Sequence, residues 1–89
     1  MSFDAERPYR LNPKVALRPE PFGALAYHFG NRRLTFLKTA RMVEVVRALE
    51  HHPSARAALR SLAVPEREWP QYERALAALA ESEVIDGRE

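Results

Sequence analysis

The stretch Ala24–Leu37, ALAYHFGNRRLTFL, constrains the fold more than any other part of the chain, because turn chemistry and side-chain alternation ask there for the same local structure. Gly30-Asn31 reads as a two-residue hairpin loop, with glycine supplying the positive φ that a type II′ turn needs at its first central position. A tight turn fixes the pairing. Phe29 then faces Arg32, His28 faces Arg33, Tyr27 faces Leu34, Ala26 faces Thr35 and Leu25 faces Phe36. The period of two places Leu25, Tyr27, Phe29, Leu34 and Phe36 on one face, and Ala24, Ala26, His28, Arg33 and Thr35 on the other. A two-stranded hairpin is barely stable alone, so the apolar face is expected to be the core face, covered by the rest of the chain.

Upstream, Val15–Arg18 is β-compatible and stops at Pro19-Glu20-Pro21, whose prolines cannot donate ladder hydrogen bonds. It supplies a first strand, and the hairpin completes a three-stranded antiparallel meander. Residues 1–13 mix charges with two prolines and show no period, which predicts an N-terminal arm laid on the surface through Tyr9 and Leu11.

After Lys38 the period changes to 3.6. Thr39 is placed to cap a helix burying Met42, Val45, Val46 and Leu49, which Pro53 terminates. Ser54 is placed to cap a second, burying Ala57, Ala58, Leu59 and Leu62. Pro70 fits only a first turn, so a third helix is expected from Trp69 to Ser82, after an irregular turn through Glu66. Its apolar stripe is Tyr72, Leu76 and Leu79, widened by Ala75 and Ala80. Strands followed by helices imply an α+β fold, a three-stranded antiparallel sheet followed by three helices, similar in plan to winged helix-turn-helix modules. The expected organisation is an arm (1–13), one domain (14–86) and a short tail (87–89).

Composition narrows the function classes. With 46% hydrophobic and 29% charged residues the chain falls in the globular range. It has no cysteine, which excludes disulfides and thiolate-held metals or clusters, and suits a cytoplasmic location. No apolar run approaches a membrane span, and the first ten residues have no apolar block of the secretory kind, so no membrane partner is expected. Net charge is only +2, yet residues 1–50 hold nine Lys/Arg against five Asp/Glu, while the remainder holds five against seven. Between Pro21 and Val43 there is no carboxylate, and Arg32, Arg33, Lys38 and Arg41 form a basic patch that favours an acidic partner.

Catalytic groups do not assemble. The serines lack a nucleophile elbow, and Ser54 is explained by capping. His51 and His52 are adjacent, so on a helix their rings diverge by about 100° and cannot share a metal as an i, i+4 pair can. His28 is expected as a solvated residue on the polar face of the hairpin. Glycines at 23, 30 and 87 make no phosphate loop. The reading is a non-enzyme without cofactor or metal. DNA binding is the alternative, but the third helix carries Arg67 and Arg74 against Glu66, Glu68, Glu73, Glu81 and Glu83, the wrong sign for phosphates. What such a chain can offer is a sheet edge: strand three, Arg33 to Leu37, could add an extended peptide or, without one, pair with a second copy.

Residues 7–39, RPYRLNPKVALRPEPFGALAYHFGNRRLTFLKT, closely resemble the mycofactocin peptide chaperones, small members of the PqqD-like family of peptide recognition elements for ribosomally made, modified peptides. LRPEPFGAL (Leu17–Leu25) and YHFG (Tyr27–Gly30) carry the likeness, which continues through VVRAL and HPSARAAL. The resemblance implies a winged helix-turn-helix-like domain that binds the leader of a precursor peptide. It further implies presentation of that peptide to a radical S-adenosylmethionine maturase, which decarboxylates its terminal tyrosine and crosslinks it to the adjoining valine. In that family the leader adds to strand three in the cleft formed with helix three. Carried onto this chain, the pairing residues are Arg33, Leu34, Thr35, Phe36 and Leu37, and the wall is Tyr72, Ala75, Leu76 and Leu79.

Overall fold

A computed structural model describes residues 3–88; the first two residues of the expected arm and the last of the tail lie outside it. Alternation and turn chemistry produce β2 (Val15–Pro19), β3 (Ala24–His28) and β4 (Leu34–Leu37), after a short β1 (Tyr9–Leu11). The three form an antiparallel sheet in the order β2-β3-β4. The expected register holds, with Tyr27 opposite Leu34, Ala26 opposite Thr35 and Leu25 opposite Phe36.

The turn itself differs from the expected type. No glycine has a positive φ; Arg32 does, at 64°. Arg32 N–H donates to the His28 carbonyl at 2.8 Å and His28 N–H to the Arg33 carbonyl at 3.0 Å, so residues 29–32 form a wider loop. Its driver is His28, whose Nδ1 accepts from the N–H groups of Gly30 (2.9 Å) and Asn31 (3.0 Å). A side chain that binds the loop backbone stabilises a geometry the bare dipeptide signal does not favour.

The faces of the hairpin are inverted relative to expectation. Ala24, Ala26 and Leu37 are buried, whereas Tyr27, Phe29, Leu34 and Phe36 are exposed. His28, expected in solvent, is 4% exposed. The reason is volume. The helices bring Val45, Val46, Leu49, Leu59 and Leu76 to the core, and close packing against such side chains requires a sheet face of alanines. Gly23 serves a different close approach, of backbone to backbone at the end of β4, since a Cβ there would lie 2.2 Å from the Leu37 carbonyl oxygen.

Helix signals act locally and are realised. In α1 (Ala40–Ala48) the Thr39 side chain accepts from Met42 N–H at 3.0 Å, and Ser54 does the same for Ala57 in α2 (Ala55–Ser61), also at 3.0 Å. A 3₁₀ turn at Glu66–Glu68 precedes α3 (Trp69–Glu81), with Pro70 in the first turn. Trp69 packs over that junction, its indole N–H donating to the Val64 carbonyl at 2.9 Å, with the Arg60 guanidinium 5.4 Å from the ring centre. The ends of the chain meet. β5 (Ile85–Gly87) pairs antiparallel with β1, which lies within the stretch expected as an arm. Arg88 fastens this pair by donating to the Tyr9 and Leu49 carbonyls, at 2.9 and 3.1 Å, and to that of His52. Arg56 ties residue 6 to α3, bonding Glu6 at 2.7 Å and Glu73 at 2.8 Å. The Glu73 carboxylate, then Glu6, hold that guanidinium protonated even more firmly than usual.

Candidate functional site

The three-stranded sheet has two edges, and they are not equivalent. His28 and Arg33 are a hydrogen-bonded pair. Alternation along an antiparallel ladder then makes Ala26–Thr35 and Ala24–Leu37 hydrogen-bonded pairs too, so the backbone groups of Leu34 and Phe36 point away from the sheet. On the other side, Phe29 N–H donates to the Lys14 carbonyl at 2.7 Å, and the same alternation turns Val15, Leu17 and Pro19 outward. Val15 N–H already donates to the Asn12 carbonyl at 2.9 Å, and Pro19 has no N–H. β2 thus offers one free donor, from Leu17. Of the two edges of this sheet, β4 presents the uninterrupted alternating one among the described residues.

Beside that edge runs a groove of about 460 Å³. One wall is Thr35–Thr39 with Met42 behind it; the other is α3, through Gln71, Tyr72, Ala75, Ala78 and Leu79. The helical wall follows from spacing, because residues three and four apart stack on one face. Alanine at 75 and 78 keeps it shallow enough to admit a strand.

The expected site residues divide accordingly. Thr35, Phe36, Leu37, Tyr72, Ala75 and Leu79 line the groove. Leu76 is wholly buried in the core and offers it nothing. Arg33 and Leu34 are exposed beyond its end, and Leu34 contributes backbone rather than a wall. Gln71, Ala78, Thr39 and Met42 also line it, beyond the residues expected there. Ala78 could have been found, three positions beyond Ala75 on the same face. Of the basic patch, Arg41 donates to Glu44 at 3.1 Å and to the Leu62 carbonyl at 3.3 Å. Arg32, Arg33 and Lys38 form no ion pair among the described residues. Lys38 lies at the groove itself. Among the described residues no cluster of three or more His, Asp or Glu could hold a metal ion, and no helix is long and apolar enough to cross a membrane.

The fold and site together define a small α+β domain built around one open strand edge and an adjoining apolar groove. Residues 8–86 match the model of the peptide chaperone MftB family. The chain is 49% identical to the peptide chaperone MftB of Mycobacterium ulcerans, over 94% of this chain and 77% of that protein. It is 47% identical to the protein of that name from Mycolicibacterium smegmatis, over 96% and 83%, and 46% identical to that from Mycobacterium tuberculosis, over 98% and 80%. No solved structure matches the chain at a significant level. The chain belongs to the peptide chaperone MftB family, whose members are chaperones and not enzymes.

Proposed function

We propose that the chain binds the leader region of a mycofactocin precursor peptide as an added strand on β4 and presents it to a radical S-adenosylmethionine maturase. The observation that carries the reading is the outward pair of backbone groups at Leu34 and Phe36 beside the α3 groove. A strand hydrogen-bonded to β4 lies about 4.8 Å beyond it, within that groove, where alternate side chains meet Tyr72, Ala75 and Ala78. Relatives at this level of identity are named peptide chaperones, which supports a peptide as the guest. The cations Arg32, Arg33 and Lys38, which form no ion pair among the described residues, favour an acidic peptide over a basic one. The chain's lack of cysteine accords with work in the cytoplasm.

Titration of ¹⁵N-labelled protein with synthetic precursor leader tests the reading. Amide shifts are expected along Leu34–Leu37 and at Gln71, Tyr72, Ala75 and Ala78. Shifts confined to β2 or to the β1–β5 pair would overturn it.

A further inference from the structure

The outer face of the sheet is covered by nothing in the described chain. Leu34, Phe36 and Phe29 are 55, 56 and 61% exposed, and Phe22 and Tyr27 are 43 and 38%. They are organised rather than scattered. The rings of Phe22 and Phe36 lie 6.0 Å apart, and Tyr27 meets Phe29 edge-on at 5.4 Å. A contiguous apolar patch on a small domain is the usual mark of a docking surface. Its border is cationic. Lys14 and Arg18 follow the same alternation along β2, and Arg32 and Arg33 stand at the hairpin end. Arg18 and Glu20 offset each other in an ion pair of 2.9 Å, which leaves Lys14, Arg32 and Arg33 as the cations without an ion pair among the described residues.

From this face we infer a second interface, which adjoins the groove at Phe36 and otherwise lies apart from it, that docks the enzyme which modifies the bound peptide. That partner would present an apolar patch edged with carboxylates. Charge selects against the obvious alternative, because two copies face to face would oppose their own cations. Continuity selects the enzyme. A peptide added to β4 widens this face by one strand, and its outward side chains join the row of Leu34 and Phe36. A protein seated there touches chaperone and peptide together. The inference rests on the peptide-chaperone reading for the identity of the partner.

The test uses the double variant Tyr27→Thr/Phe29→Ser and the charge reversal Arg18→Glu, none of which lines the groove, each checked for a cooperative melting transition. Affinity for the leader peptide is measured by calorimetry, and affinity for the purified maturase by biolayer interferometry, with and without peptide. Expected is leader affinity within about twofold of wild type and maturase affinity reduced at least ~10-fold in both variants, the scale of losing an interface anchor. Unchanged maturase affinity in both variants overturns the inference. So does an effect confined to co-sedimentation with phosphatidylserine vesicles, or to a monomer–dimer equilibrium of the chaperone alone. Loss of maturase binding through this face, in a protein that never binds leader, would retire the peptide reading and leave the interface standing.

Discussion

Proline scanning of β4 separates strand addition from every other mode of peptide capture, because the structure assigns opposite fates to neighbouring positions. The N–H groups of Leu34 and Phe36 face outward, while that of Thr35 faces β3. Proline is tolerated on an edge strand where the missing N–H would face outward, so Leu34→Pro and Phe36→Pro should fold. Each removes one donor from the guest strand and leaves a guest carbonyl without a partner, a cost of about 2 kcal/mol, or ~30-fold in Kd. Thr35→Pro instead breaks a ladder bond to Ala26 in a domain whose total stability is only about 5–13 kcal/mol, and it should lose the cooperative melting transition. Leu34→Ala and Phe36→Ala subtract the side-chain contribution. Calorimetry with leader peptide, paired with circular dichroism, reads both effects. If the two edge proline variants fold and bind within about twofold of their alanine counterparts, the guest does not pair with β4 and the argument fails.

Filling the groove should have the same outcome by a different route: Ala78→Trp, at an exposed helix position, is expected to weaken leader binding at least ~30-fold while shifting the melting temperature little, as scanning calorimetry would show. Leader affinity should fall with added salt, and Arg32→Ala/Arg33→Ala should flatten that dependence in titrations across a salt series; an unchanged slope would remove the basic patch from the site. Gly23→Ala places a methyl against the Leu37 carbonyl and should destabilise the domain by about 1–3 kcal/mol, measured as a lowered urea midpoint.

What could be read from the chain follows the range of the forces involved. Thr39 and Ser54 cap helices through groups three residues away, and Pro70 marks a first turn by its own ring; such signals are complete within a short window. Hairpin register is equally local, since pairing steps outward from the turn. Which face of the hairpin goes inward is not local. It depends on how much volume α1, α2 and α3 deliver, whereas hydrophobicity alone sends the large apolar side chains to the core. The same inversion brings His28 out of water, because the alternation that turns Ala24 and Ala26 inward takes His28 with them. The pairing of Arg10 with Asp86 joins strands of three residues, too short to show any period. At the candidate site the β4 edge was legible from strand order. The division of α3 was not, because Leu76 and Leu79 share a stripe, yet Leu76 is wholly buried in the core while Leu79 reaches the groove, a difference set by packing rather than by spacing.

The inverted sheet also explains how an edge strand of four residues stays ordered with one neighbour. Its non-hydrogen-bonded pairs, the closer kind, are Tyr27–Leu34 and Leu25–Phe36, and each such pair contributes about 0.2–1 kcal/mol through its side chains. The inner face cannot supply this support, because alanines there are needed to let the helices approach. Large apolar residues on the outer face therefore stabilise the strand laterally while leaving Leu34 and Phe36 backbone groups unpaired. The cost is an exposed, aggregation-prone surface, which the neighbouring arginines only partly offset. A chain selected for stability alone could pair the Leu34 and Phe36 backbone groups with a strand of its own; retaining the open edge makes physical sense where another chain completes the sheet.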